Sequence, residues 1–459
     1  MKLINPATEE IILEVASSTK ESLDQSYKEL VLGQQIWKST PLTSRIQILA
    51  KFSDLLAEQS TQLAHDLSSE MGKPLAQAKN EINGARARIA WMLNNANKYL
   101  DNEVMTDMEG LQEIIVHEPL GVVCNISAWN YPFLVGVNVF IPALLAGNTV
   151  MYKPSEYATL TGLNIQKLLY AAGIPENCFK VAIGAKEVGE YLLDLPFNGY
   201  FFTGSYATGK YIYEKVAKKM VVCQCELGGK DPLYITDDII DIAKVAAATA
   251  DGAFYNNGQS CCAVERIYVH EKIANEYISA FVTEVKSWQI GNPFEEGVYI
   301  GPLSRGAQIT VLENQIADAL EKGATILVGG NKIPGKGYYF EPTVLTKVTH
   351  DMLVMKEESF GPIIGISIVQ DDEEAIYKMN DTQYGLTAGV FASNEDRARK
   401  ILDNMHSGTG YWNCCDRVSA PLPWSGRKHS GIGSTLSYVG LRAFTQPKAL
   451  HLRKDRNKG

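Results

Sequence analysis

A doubly wound α/β fold in two lobes is the architecture this chain predicts, and three observations carry that expectation. Its 459 residues exceed what one ordinary core serves and suit two large lobes. Hydrophobic residues at 46% and charged residues at 21% match a globular protein. Beyond residue 120, short strand-like runs alternate with helix-length stretches, which calls for a parallel sheet with helices on both faces.

The elements follow in order. From about Glu21 to Leu100, apolar residues recur at three- and four-residue steps, as in Ile46, Leu49, Phe52, Leu55 and Leu56, and predict helices. Leu111 to His117 reads as extended, with Ile114, Ile115 and Val116 supplying β-branched bulk. Gly121 to Ile126 is a buried strand candidate, and a helix follows from Pro132 to about Ala146. Thr149 to Tyr152 is the next strand and Thr161 to Ala172 the next helix. Lys180 to Ile183 and Tyr200 to Phe202 repeat the theme, and a further helix runs to about Lys219. A second α/β series starts at Asp231 to Ile235 and runs to about Gly433, so the lobes divide close to Gly228-Gly229. Ala443 to Leu452 reads as a strand with no obvious partner in its own lobe.

Charge and composition narrow the function. A net charge of -9 argues against a nucleic-acid protein, which needs a basic face. No apolar run reaches the ~18 residues of a membrane span, and the N-terminus lacks a signal-peptide stretch, so a cytoplasmic protein is expected. The basic tail Arg453-Lys454-Asp455-Arg456-Asn457-Lys458 reads as a solvated terminus. Among eight cysteines, Cys223/Cys225, Cys261/Cys262 and Cys414/Cys415 lie close together, and none has C-x-x-C spacing. Reduced thiols and no metal site are expected.

Five short motifs carry candidate chemistry. Gly258-Gln259-Ser260-Cys261-Cys262 follows an apolar helical stretch, and a thiol on such a loop can meet a substrate, although inert buried thiols are common. Glu226 ends an extended run beside Gly228-Gly229, where a carboxylate can reach into a cleft and act as general base for water. Phe202-Thr203-Gly204-Ser205 joins a strand to a helix. Glycine there admits backbone amides to a phosphate, whose charge the helix N-terminus favours, but the spacing is not G-x-G-x-x-G. Asn130, in Ala128-Trp129-Asn130-Tyr131-Pro132, can donate to an oxyanion or simply serve a turn. Lys153-Pro154-Ser155-Glu156 can bind ribose hydroxyls or form a charged turn.

In this order, with Glu358-Ser359-Phe360-Gly361-Pro362 following, the motifs resemble the NAD(P)-dependent aldehyde dehydrogenase superfamily over nearly the whole chain, from Asn5-Pro6-Ala7-Thr8 to the terminal strand. The resemblance selects Cys261 over Cys262 as the nucleophile. It implies that Asn130 and the Cys261 backbone N–H hold the oxyanion, and that Glu226 activates the water that hydrolyses a thioester. It implies NAD as cofactor, with NADP possible: Lys153 and Glu156 at the adenosine ribose, Gly204 and Ser205 near the pyrophosphate, Glu358 and Phe360 on the nicotinamide side, and Trp129 lining the cleft.

The implied fold has a doubly wound cofactor-binding lobe (1–100 and 120–228), an α/β catalytic lobe (229–433) and a small β oligomerisation element (101–119 and 434–459). That element would give the terminal strand a partner in a neighbouring subunit of a homodimer or homotetramer, since an exposed apolar edge is a liability. A thiol esterase, a CoA-acylating dehydrogenase and a non-catalytic protein on the same fold are the rival readings. The base at Glu226 favours water over CoA.

Two departures from the family bear on the substrate. Leu422-Pro423-Trp424-Ser425-Gly426 replaces the frequent Pro-Phe-Gly-Gly near the substrate entrance, a change expected to leave catalysis untouched. Relatives acting on succinic semialdehyde commonly carry an arginine in the helix after the Trp-Asn motif, whereas Phe133 to Thr149 holds no Lys or Arg, and Asn138 occupies that place. An uncharged aliphatic or aromatic aldehyde is therefore expected, with Arg417 as the alternative anchor for a carboxylate.

Overall fold

Apolar residues at helical spacing give four helices in the first hundred residues: Lys20–Trp37, Leu42–Glu58, Ser60–Met71 and Leu75–Leu100. The computed structural model describes residues 1–453, and the basic tail from Lys454 onward lies outside them. Leu49, Phe52 and Leu56 of the second helix, and Ala78, Ile82, Ala85 and Ile89 of the fourth, are buried in one core with Pro132–Leu145. That helix is apolar almost all round, as a helix covered on every side must be.

The expected alternation gives two sheets. The first has six strands in the order Gly431–Ile432, Val222–Glu226, Gly199–Thr203, Val122–Ile126, Thr149–Lys153, Phe179–Val181. All its pairs are parallel except the first. The chain winds outward from Val122–Ile126 to Phe179–Val181, then crosses back to Gly199–Thr203 on the other side. The order therefore reverses between Val122–Ile126 and Gly199–Thr203, and a crevice opens at their carboxyl ends, where such sheets bind ligands. Every residue of Thr149–Lys153 is buried, as a strand covered on both faces requires.

The second sheet has seven strands in the order Thr325–Val328, Thr343–Thr346, Ile363–Val369, Val264–His270, Asp231–Ile235, Thr387–Phe391, Thr409–Trp412. Only Thr325–Val328 runs antiparallel to its neighbour. The first sheet recruits Gly431–Ile432 from the far end of the chain, and this short strand pairs with Glu226 and Cys225.

The terminal strand finds a partner within its own chain. Thr445–Arg453 pairs along its whole length with Leu111–Pro119 of the same chain, which also pairs with Glu103–Met108. Its partner lies over three hundred residues earlier in its own subunit, and as the edge of the three-stranded sheet the strand keeps its other side unpaired among the described residues. Among the described residues, no helix is long and apolar enough to cross a membrane.

Candidate active site

The loop carrying Cys261 is set by the turn before it. Helix Ile242–Phe254 ends in Tyr255–Gly258, where Asn256 and Asn257 take left-handed φ of 54° and 58°. Asparagine tolerates that region better than most residues. Asn256 Nδ2 donates to the carbonyls of Asn130 and Gln259, both at 3.2 Å, and Asn257 Nδ2 to that of Gly301 at 2.8 Å. Gly258 follows at φ 66°, and a Cβ there would come within 2.5 Å of the Gly361 carbonyl oxygen. Only glycine fits.

The two adjacent thiols differ. Cys261 is half-buried on the wall of a cleft of about 1060 Å³. Cys262 is buried, and its thiol donates to Asp416 Oδ1 at 3.0 Å. Hydrogen bonding with Cys261, burial and the Asp416 carboxylate raise Cys262 well above the ordinary thiol range, so it stays protonated.

Asn130 follows strand Val122–Ile126 and sits against the Cys261 loop. It is 4% exposed, and its Nδ2 donates to the Gln259 carbonyl at 3.0 Å, which leaves one amide hydrogen. Its backbone is pinned by residues that the sequence reading missed. Lys73 and Glu81 form an ion pair with both side chains fully buried. Lys73 Nζ donates to the Asn130 carbonyl at 2.9 Å and sits 3.8 Å from the centre of the Tyr131 ring. Glu81 Oε1 accepts the Phe133 N–H at 2.9 Å, at the start of helix Pro132–Leu145. Lys73→Met would leave Glu81 buried without a counter-ion, and is expected to cost about 3–5 kcal/mol of stability in chemical denaturation. Lys73→Met/Glu81→Leu should recover part of that loss; equal stability of Lys73→Met and the native chain would show that the pair does not hold this wall.

Glu226 ends strand Val222–Glu226 and reaches the same cleft. Burial pushes its carboxyl up to about 7, while a hydrogen bond from the Thr435 hydroxyl and the charge of Arg88 oppose the rise. Thr435 is bridged to Trp424 of the atypical segment 422–426 through reciprocal backbone bonds of 2.8 and 2.9 Å. That segment therefore bears on the surroundings of Glu226 as well as on the entrance, a correction to the expectation that only substrate choice is affected. The glycines after Glu226 are needed for close approach: a Cβ on Gly228 would fall 2.3 Å from Glu358 Oε2, and one on Gly229 would fall 2.4 Å from the Cys261 carbonyl oxygen.

The remaining candidates line the same cleft. Glu358 accepts the Gly229 N–H at 3.0 Å, and burial pushes its carboxyl up to about 8. Phe360 meets Trp129 edge-on, with ring centres 5.3 Å apart. A second buried pair, Lys230–Glu265 at 2.5 Å, secures this wall. Glu265 accepts the backbone N–H groups of Ser359 and Phe360, and Lys230 donates to Ser359 Oγ at 3.0 Å.

Gly204 and Ser205 lie at the reversal of strand order, where Ser205 caps helix Tyr206–Ala217 by accepting the Thr208 N–H at 3.5 Å. Among the described residues Lys153 Nζ donates only to the Pro154 carbonyl, at 3.3 Å, which leaves hydrogens for ribose hydroxyls, and half-buried Glu156 stands nearby. A helix N-terminus at the crevice, free lysine donors and an aromatic wall fit a dinucleotide.

All ten candidate residues line the one cleft. Besides Lys73 and Glu81, the sequence reading missed Asp416, Thr435 and Arg88. Arg417 is exposed on the cleft and forms no ion pair with Asp416, whose Oδ1 accepts from Cys262 and from Ser260 Oγ, the latter at 3.2 Å. One signal was available for Glu81 and Arg88: with Gln77 and Gly84 they form a polar and small-residue stripe along Leu75–Leu100, directly beside its apolar stripe rather than on the solvent face.

Comparison with known proteins fits this geometry. The model of the aldehyde dehydrogenase family matches residues 1–450. Aminoaldehyde dehydrogenase 1, peroxisomal, of Pisum sativum is 34% identical over 458 residues, covering 97% of this chain and 91% of its own. The NADP(+) succinate-semialdehyde dehydrogenase of Deinococcus radiodurans is 32% identical over 429 residues, covering 93% and 88%. Among solved structures, the aldehyde dehydrogenase KauB from Pseudomonas aeruginosa matches with a TM-score of 0.96 at 29% identity, covering 99% and 93%. The 3,6-anhydro-L-galactose dehydrogenase in complex with NAP matches with a TM-score of 0.94 at 31% identity, covering 99% and 96%.

Proposed function

The chain belongs to the aldehyde dehydrogenase family and oxidises aldehydes with NAD(P), and we propose that it does so through a thioester on Cys261 that Glu226 hydrolyses. One observation carries the reading: Cys261, the Asn130 amide and Glu226, from three separate segments, line one cleft, while Cys262 is buried and hydrogen-bonded to Asp416. The Cys261 thiolate attacks the aldehyde carbon. Asn130 Nδ2 and the Cys261 N–H receive the developing oxyanion, whose charge they stabilise without reorganising. Bound nicotinamide supplies the hydride acceptor. Glu226 then takes a proton from water as it attacks the thioester, releasing the acid and restoring the thiol.

NADH formation on adding aldehyde to enzyme and NAD tests the redox reading. A thiol esterase on these residues would release acid from an activated ester and give no NADH from any aldehyde.

The cofactor preference follows from Glu156. Its carboxylate, beside the ribose position, repels a 2′-phosphate, so NAD is preferred over NADP by about tenfold or more in kcat/KM, one charge contact being worth about 1–2 kcal/mol here. Higher kcat/KM with NADP would refute this placement of Glu156.

A further inference from the structure

We propose that Arg88 binds the distal carboxylate of the substrate, so that the aldehydes this enzyme prefers carry an anionic far end. The proposal rests on oxidation at Cys261 and adds the chemical class of the substrate. It replaces the expectation of an uncharged aldehyde, which followed from the lack of a cation between Phe133 and Thr149. The fold supplies that cation from another helix.

Leu75–Leu100 packs against Pro132–Leu145 with Gly84 facing Leu134, where a Cβ would come within 3.2 Å of Leu134 Cδ2. Four residues on, the same face brings Arg88 to the Leu134–Asn138 wall of the cleft. Arg88 Nη1 donates to the Leu134 carbonyl at 3.3 Å and to Asn138 Oδ1 at 3.0 Å, which uses both of its hydrogens. Nη2 and Nε carry the other N–H groups and make no hydrogen bond to a described residue. Asn138, 4% exposed and held by Arg88 through its oxygen, likewise has no described acceptor for its Nδ2. A guanidinium fork and a carboxamide thus face one cleft with donors to spare, the pattern that suits a carboxylate.

The balance of free donors around it favours an anion over a cation. Near the thiols, each acid of the cleft already has a protein donor: Glu81 has Lys73, Glu226 has Thr435, Asp416 has Cys262 and Ser260, and Asp251 has the Tyr299 hydroxyl. Arg88 has no carboxylate among the ion pairs of the described residues, and burial holds its guanidinium below the usual basicity. Glu226 and Glu81 act on it from beyond ion-pair distance, and a substrate carboxylate supplies a direct partner for its free donors.

The test compares succinic and glutaric semialdehydes with butanal and pentanal, which match them in chain length without the carboxylate. Wild-type kcat/KM should favour a semialdehyde by about 10²-fold, the range of hydrogen bonds to a charged group. Arg88→Gln should collapse that ratio, chiefly through KM, and Arg88→Lys should restore part of it. In the wild-type enzyme alone, succinate should inhibit competitively against aldehyde and raise the melting temperature more than butyrate does, which keeps the proposal testable if a variant fails to fold. The proposal is overturned if the uncharged aldehydes are preferred, if Arg88→Gln lowers both classes equally, or if the ratio collapses in Arg417→Ala instead. Failure of the thioester reading is separate: turnover surviving Cys261→Ala would sink that reading while leaving the discrimination between succinate and butyrate intact.

Discussion

Cys261→Ala is expected to abolish aldehyde oxidation, with a loss of at least ~10⁴-fold, because the other thiols on the cleft, Cys262 and Cys415, are held protonated and cannot form the covalent adduct that makes hydride departure and hydrolysis separate, easier steps. Cys262 stands next in sequence but cannot substitute. It is buried, raised well above the thiol range and committed as a donor to Asp416. Cys262→Ala should therefore retain substantial turnover. The comparison is steady-state NADH formation by the two variants beside the native enzyme. If Cys261→Ala kept its rate and Cys262→Ala lost it, the roles would be reversed.

Glu226→Gln should reduce steady-state turnover by about 10²–10⁴-fold, the range of general-base removal. A single burst of NADH should survive, since the glutamine impairs release of the thioester rather than its formation. The native enzyme should show a matching pH dependence. With the Glu226 carboxyl pushed up to about 7, the active base is the ionised form, so kcat should rise with pH toward about 7 and level off above it. Glu226→Gln should lack that limb. Wild-type turnover in the variant, or a native kcat that falls as pH rises from 6 to 8, would remove Glu226 from the base role.

Much of this could be read from the chain because local pattern and tertiary structure agree. Period-3.6 hydrophobicity marked Leu42–Glu58 as helix, the short apolar run marked Val122–Ile126 as a buried strand, and glycine clusters marked where strands hand over to loops. The residues facing the cleft were legible because each sits at the end of an element, where a short motif carries both the turn and the chemistry. What stayed hidden depends on long-range packing. Lys73 and Glu81 read as ordinary charges on a helical stretch, and their burial as a pair follows only from the docking of Leu75–Leu100 onto Pro132–Leu145. Arg88 was missed for the same reason: the cation sought within Phe133 to Thr149 comes from fifty residues earlier and donates to Asn138 itself. The terminal strand looked unpartnered within its own lobe because its partner, Leu111–Pro119, lies over three hundred residues earlier, and only the family resemblance joined the two segments.

The covalent intermediate is the most direct test of the account. Glu226→Gln, mixed with NAD and succinic semialdehyde or hexanal and quenched in acid, should carry the corresponding acyl group on the peptide that contains Cys261 and Cys262. Mass-spectrometric fragmentation should place it on Cys261, in amounts that match the burst of NADH. An unmodified peptide despite that burst, or an acyl group carried by Cys262, would contradict it.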